Sequence, residues 1–150
     1  MVHYNQALLA LFTRDLNKLK EELSLYANES AIWKVDQHVT NSAGTLTLHL
    51  LGNLNHFIGA TLGYTEYIRD REAEFSEKDI PRHKLIDNID NTIGVLIDVF
   101  GGLSGADMEK EYPLQIQGKK DTTGNMLLHL FGHLSYHLGQ INYHRRLLDK

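Results

Sequence analysis

"NMLLHLFGHLSYHLGQ", residues 125–140, decides how this chain folds. Its three histidines, His129, His133 and His137, stand four apart in an otherwise apolar run. A helix advances about 100° per residue, so each step of four turns the side chain by only about 40°. One helical face is then lined with imidazoles. The stretch also has an echo: "TLTLHLLGNLNHFIGA", residues 45–60, lies over it eighty positions upstream. His49 matches His129, Gly52 matches Gly132, Gly59 matches Gly139, and Asn53 matches His133. The repeat predicts two helical hairpins related by an approximate two-fold.

Working outward, four helical segments emerge. The first runs from Tyr4 to about Tyr26, with Leu8, Leu11, Leu16, Leu19 and Leu23 at helical spacing and charges between them. "NES" interrupts it. The second starts after Asn41-Ser42, either of which can cap, and runs to about Tyr67. The third follows "DIPRH", with Pro81 near its first turn, and carries Leu85, Ile89, Ile93, Leu96 and Ile97 up to Gly101-Gly102. The fourth begins behind Asp121, Thr122 or Thr123 and ends near Leu148. "YPLQIQG", 112–118, is the only strand-like stretch. Four helices of about 20 residues predict an all-α chain built as a four-helix bundle.

If the two-fold lies perpendicular to the helices, segments two and four run antiparallel. With the axis near Gly52 and Gly132, His49 falls level with residue 135, midway between His133 and His137. The connection 68–80 must then run from one end of the bundle to the other, and about 13 residues at up to ~3.3 Å each suffice.

Composition bounds the function. With 150 residues, the chain reads as a single domain over 1–150, large enough to bury a core without disulfide or metal. It has no cysteine, which excludes disulfides, zinc fingers and a protein-borne catalytic thiol. A net charge of −4 argues against nucleic acid as partner, since no basic patch neutralises phosphates. The opening MVHYNQALLALFTRDL meets polar and acidic residues too early for a signal peptide. No run approaches the ~20 apolar residues of a membrane span. Cytoplasm is the expected compartment, with no membrane partner.

Two histidines at i and i+4 can chelate one cation through imidazole nitrogens. His129 and His137 are about 12 Å apart along the helix and cannot share one. The chelate is therefore 129/133 or 133/137, completed from another helix, and His49 is the best donor because the repeat brings it level with 133/137. The pseudo-equivalent position sets Asn53 and Phe57 against His129, a poor ligand set, so one site is expected. "HLSYH" lacks the glutamate of HExxH, which removes metalloprotease chemistry, and no ExxH pair exists for a di-iron bundle. Ser135 sits on the wrong helical face to pair with His137. His3, His38, His83 and His144 are expected at the surface, and His56 is open to a supporting or a solvent role.

These residues resemble the DinB/YfiT-like superfamily of four-helix metal-binding proteins. The likeness covers nearly the whole chain and rests on "LHLLGNL" at 48–54, "RDREAEF" at 69–75 and "HLSYHLGQI" at 133–141. It implies an up-down-down-up bundle, commonly a homodimer, holding one divalent ion per chain on His49, His133 and His137, the trio preferred above on spacing. It also points to Gln140 as a residue supporting a ligand. Some relatives are thiol-dependent transferases or isomerases.

Three neutral histidines leave coordination positions for water or substrate. The expected function is a metal-dependent transferase or hydrolase acting on a small molecule, with zinc or nickel as the ion. Because the chain has no cysteine, any thiol arrives as a low-molecular-weight cosubstrate. A non-catalytic metal- or ligand-binding bundle is the alternative. Tyr136 and His56 are acid–base candidates by proximity alone, and no catalytic residue is assigned. Six consecutive apolar residues, Ala7 to Phe12, exceed one core-facing stripe. They point to a homodimer through the first helix, unless the 28–42 loop with Ile32 and Trp33 covers them.

Overall fold

A three-to-four residue apolar period gives the first helix, α1, Tyr4–Leu25, which buries Leu8, Phe12, Leu16, Leu19 and Leu23 on one face. The computed structural model describes residues 3–150; residues 1 and 2 of the expected domain lie outside it. A 3₁₀ turn, Glu29–Trp33, follows, capped by Asn28, whose side chain accepts from the Ser30 amide. The second helix, α2, Ala43–Leu54, starts at Ser42, whose Oγ accepts the Thr45 amide at 3.0 Å. Of the two caps open to the sequence, Ser42 is the one used.

Beyond Leu54 the helix widens into a π-helical turn, Asn55–Ala60, and closes with α3, Thr61–Gly63. It ends at Tyr64, whose φ of 53° is left-handed, three residues short of the expected end. A short helix in the connection, α4, Arg71–Ser76, is capped by Asp70. The third long helix, α5, Arg82–Gly102, opens behind Pro81 and buries Leu85, Ile89 and Leu96, while Ile97 stands exposed. A reciprocal capping box between Ser104 and Asp107 nucleates α6, Gly105–Glu109. The last helix, α7, Thr123–Leu148, is capped by Thr122, whose Oγ1 accepts the Asn125 amide. The strand-like stretch 112–118 forms one isolated bridge, Ile116 with Lys119, beside a second between the flanking Glu111 and Thr122, and the described residues contain no strand. The described chain is all-helical.

Contacts between the long helices fix their directions. Asp15 meets Ser135, Glu22 meets Asn142, and Phe12 packs on Phe131, so α1 and α7 advance together. Asn5 meets the Leu103 carbonyl and Lys20 meets Asp90, so α1 and α5 run oppositely. Asn55 meets Thr92, and Val95 and Val99 close on Gly59 and Gly63, so α2 with its extension runs along α5. Segment 64–81 therefore returns the length of α2, and Lys78 meets Thr45 near the helix start. The expected end-to-end connection is what the chain does here.

Two expectations are overturned. Gly52 and Gly132 do not approach each other: Gly52 lies under the Glu74 side chain, and nothing lies within 4 Å of a Cβ built at Gly132. The close contact at residue 52 is with a carboxylate from the connection instead of a second helix backbone. His144, expected at the surface, is 3% exposed. Burial is tolerated because both ring nitrogens are satisfied, by the Tyr26 hydroxyl and the Lys34 carbonyl. His3, His38 and His83 are exposed as expected.

Candidate metal centre

His133 and His137 share a face of α7 because they are one turn apart, and α2 carries His49 to the same level. The three side chains meet. His49 Nε2 and His137 Nε2 each stand 3.1 Å from His133 Nε2, and the three potential ligand atoms lie within 4.8 Å of one another. Zinc–imidazole bonds of about 2.0–2.1 Å in a tetrahedron separate neighbouring nitrogens by about 3.3–3.4 Å. The two spacings from His133 are close to that. These three residues can hold a metal ion. His129, on the same face one turn earlier, is exposed and stays outside the group.

The second ring nitrogens show which way the lone pairs point. His49 Nδ1 faces Glu74 Oε1 at 3.1 Å, and a carboxylate only accepts, so Nδ1 carries the proton. His137 Nδ1 donates to Gln140 Oε1 at 2.7 Å. In both rings Nε2 is left as a lone pair aimed at His133 Nε2. A proton on His133 Nε2 can satisfy one of these lone pairs, leaving the other opposed. Moving it to Nδ1 leaves three lone pairs converging, and His133 Nδ1 is itself buried without a hydrogen-bond partner. A cation at the meeting point of the three nitrogens satisfies them together, so the donor set fits a metal.

Burial favours the neutral form of His133 and His49. Desolvation, reinforced by the neighbouring imidazoles, pushes His133 down to about 4. His49 is also held below the ordinary imidazole value by burial, against the opposing pull of Glu74. Neutral imidazole is the form that binds metal.

Around the trio, α4 supplies what sequence reading did not assign. Glu74 is 5% exposed and is clamped by Arg69 through two parallel bonds, Nε to Oε2 at 2.8 Å and Nη2 to Oε1 at 2.9 Å. The Arg69 guanidinium lies 5.7 Å from the centre of the Phe57 ring, and Phe75 packs on His49 with ring centres 5.1 Å apart. The sequence did hold one signal: Gly52 follows His49 by three residues on the same face of α2, and its missing side chain leaves room there. Gln140, singled out by resemblance, does hold a ring nitrogen of His137. Ser135 bonds to Asp15 and leaves His137 alone, as its helical face required. Tyr136 is 66% exposed beside His137, and burial lowers the pKa of half-buried His56. Neither has a hydrogen bond that marks it as an acid or base.

A family model described as "Protein of unknown function (DUF1572)" matches residues 3–150. Among curated proteins, none matches the chain. No described helix is long and apolar enough to cross a membrane.

Proposed function

The chain belongs to the DUF1572 family, and from that premise we propose that it is a divalent-metal protein of the DinB/YfiT-like kind, its metal held by His49, His133 and His137. The helix directions, with α1 and α7 together and α2 and α5 together, support an up-down-down-up four-helix bundle. The observation that carries the reading is the convergence of three Nε2 atoms whose opposite ring nitrogens are committed elsewhere or orphaned.

A zinc or nickel ion bound by three neutral histidines supplies Lewis acidity at positions left open to solvent or substrate. On that basis the protein is a transferase or hydrolase for a small molecule, with a low-molecular-weight thiol as the expected cosubstrate. His49 and His137 present Nε2 because Glu74 and Gln140 hold their Nδ1 protons; Phe75 covers the His49 ring. The exposed apolar residues at the start of α1 support a homodimer.

One observation favours a second reading, a non-catalytic metal- or ligand-binding bundle. Glu74, the carboxylate nearest the trio, is occupied by Arg69 and His49 and is not free to move protons. Elemental analysis of the purified protein combined with a thiol-transfer screen separates the readings. About one zinc or nickel per chain with turnover supports the enzyme, and metal without turnover supports the binder. Failure of the metal-free protein to take up either cation overturns the enzyme and the metal binder, leaving only a bundle that binds some other ligand.

A further inference from the structure

Glu74 is buried, and its partner Arg69 partly buried, at a site where the chain makes room for the pair. Removing a charged pair from water costs several kcal/mol per ion before partners offset it, and apolar packing often does as well. At residue 52 the helix also forgoes a side chain, since a Cβ there would collide with the Glu74 carboxylate. Asp70 caps the short helix that carries Glu74, its Oδ1 accepting the Ala73 amide at 2.9 Å. Phe57, from the π-helical turn, stacks under the Arg69 guanidinium. Three separate segments thus converge to fix one carboxylate, whose remaining bond goes to His49 Nδ1.

We infer that Glu74 is a positioning residue for His49, and that Arg69 and Gly52 hold its carboxylate in register. Glu74 fixes the Nδ1–H tautomer and the ring plane of His49, which aims Nε2 at the other two histidines. Arg69 occupies both carboxylate oxygens, so the carboxylate cannot rotate away from the ring. Gly52 leaves the space in which it sits. Together they set how tightly the three-histidine site holds a divalent cation. This rests on the metal reading above and adds to it a structural cause of affinity.

The test titrates zinc against a chromophoric chelator in wild type, Glu74→Ala, Glu74→Gln, Gly52→Ala and the Glu74→Ala/Gly52→Ala double variant. Loss of an outer-shell partner of a ligating histidine weakens metal binding about 10–100-fold, which is the loss expected for Glu74→Ala. Gly52→Ala should weaken binding in the same direction although the carboxylate is still present. The double variant should be no weaker than Glu74→Ala alone, because both changes act through one contact. Glu74→Gln keeps an acceptor for Nδ1–H and should recover part of the loss; it also serves if Glu74→Ala does not fold. In the metal-free protein, ¹⁵N shifts of His49 should report protonated Nδ1 in wild type and a mixture of tautomers in Glu74→Ala. Affinity within about twofold of wild type in folded Glu74→Ala, or additive losses in the double variant, overturns the inference. A wild type that binds no zinc fails the metal reading instead, and the metal-free ¹⁵N comparison still decides whether Glu74 orients His49.

Discussion

The Tyr26 hydroxyl donates to His144 Nδ1 across 2.6 Å, and His144 Nε2 donates to the Lys34 carbonyl at 2.8 Å. This pair ties the end of α1, the turn after it and the last helix together, with both side chains almost fully buried. Tyr26→Phe keeps the ring and strands a buried imidazole nitrogen. An unsatisfied buried acceptor costs about 1–3 kcal/mol, and the variant should lose that much stability. Urea unfolding checks it: a lower midpoint at unchanged slope is expected, and an unchanged midpoint shows that the bond contributes nothing.

Acid should act on the same contact. Burial holds His144 below the ordinary value near 6.5, partly offset by its bond to Lys34. The unfolded chain therefore takes up a proton first, at about 6.5, and stability falls as pH drops below that value. Glu22 adds a second loss: burial raises its pKa, but its bonds to Arg145 and Asn142 win and hold it below 4.5. Its stabilisation is complete above 4.5 and fades as pH falls further. His144→Gln should flatten the part of the stability curve between pH 7 and 5; an identical curve in the variant would assign that loss elsewhere.

His133→Ala should abolish metal binding while leaving most of the helical signal, because apolar faces of α1, α2, α5 and α7 hold the chain together independently. Metal content and far-UV circular dichroism read the two effects separately. Stoichiometric metal in the His49→Ala, His133→Ala double variant would rule out this ligand set.

The pH profile of metal affinity tests the burial of the ligands. Protons compete only as pH nears a ligand's metal-free pKa, and His133 is held at about 4 while His49 is also lowered. These two should begin to lose the metal only below the ordinary imidazole range. Chelator competition between pH 7 and 4 measures it. Loss of two or more protons' worth of affinity already between pH 7 and 6.5 would mean that His49 and His133 are solvated.

Assembly follows from the start of α1. Ala7 and Ala10 are exposed and Leu9 and Leu11 half-buried. The turn carrying Ile32 and Trp33 packs on α2 and α7, with Trp33 lying over Gly44, so Trp33 is spent on α2. An isologous contact through α1 is expected to give a dimer. Light scattering at micromolar concentration should return about twice the 17.1 kDa chain mass; the single-chain value means no dimer forms.

What sequence determined by itself is what short-range interactions dictate. The apolar period of α1, the short cap candidates Asn41-Ser42 and Asp121 to Thr123, Pro81 ahead of α5, and the turn-apart pair His133 and His137 all involve residues within about four positions; the structure chose Ser42 and Thr122 among the caps. Their geometry follows from helix pitch alone. The repeat carried the reading further, placing His49 level with that pair. Tertiary structure decided the rest. Nothing local in "RDREAEF" marks Glu74 as buried among its charged neighbours; its burial depends on Arg69, on His49 twenty-five residues upstream and on the space at Gly52. His144 likewise goes inside because Tyr26 and Lys34, more than a hundred residues away, satisfy both its nitrogens. A polar group's burial is settled by partners, and packing of the whole chain selects those partners.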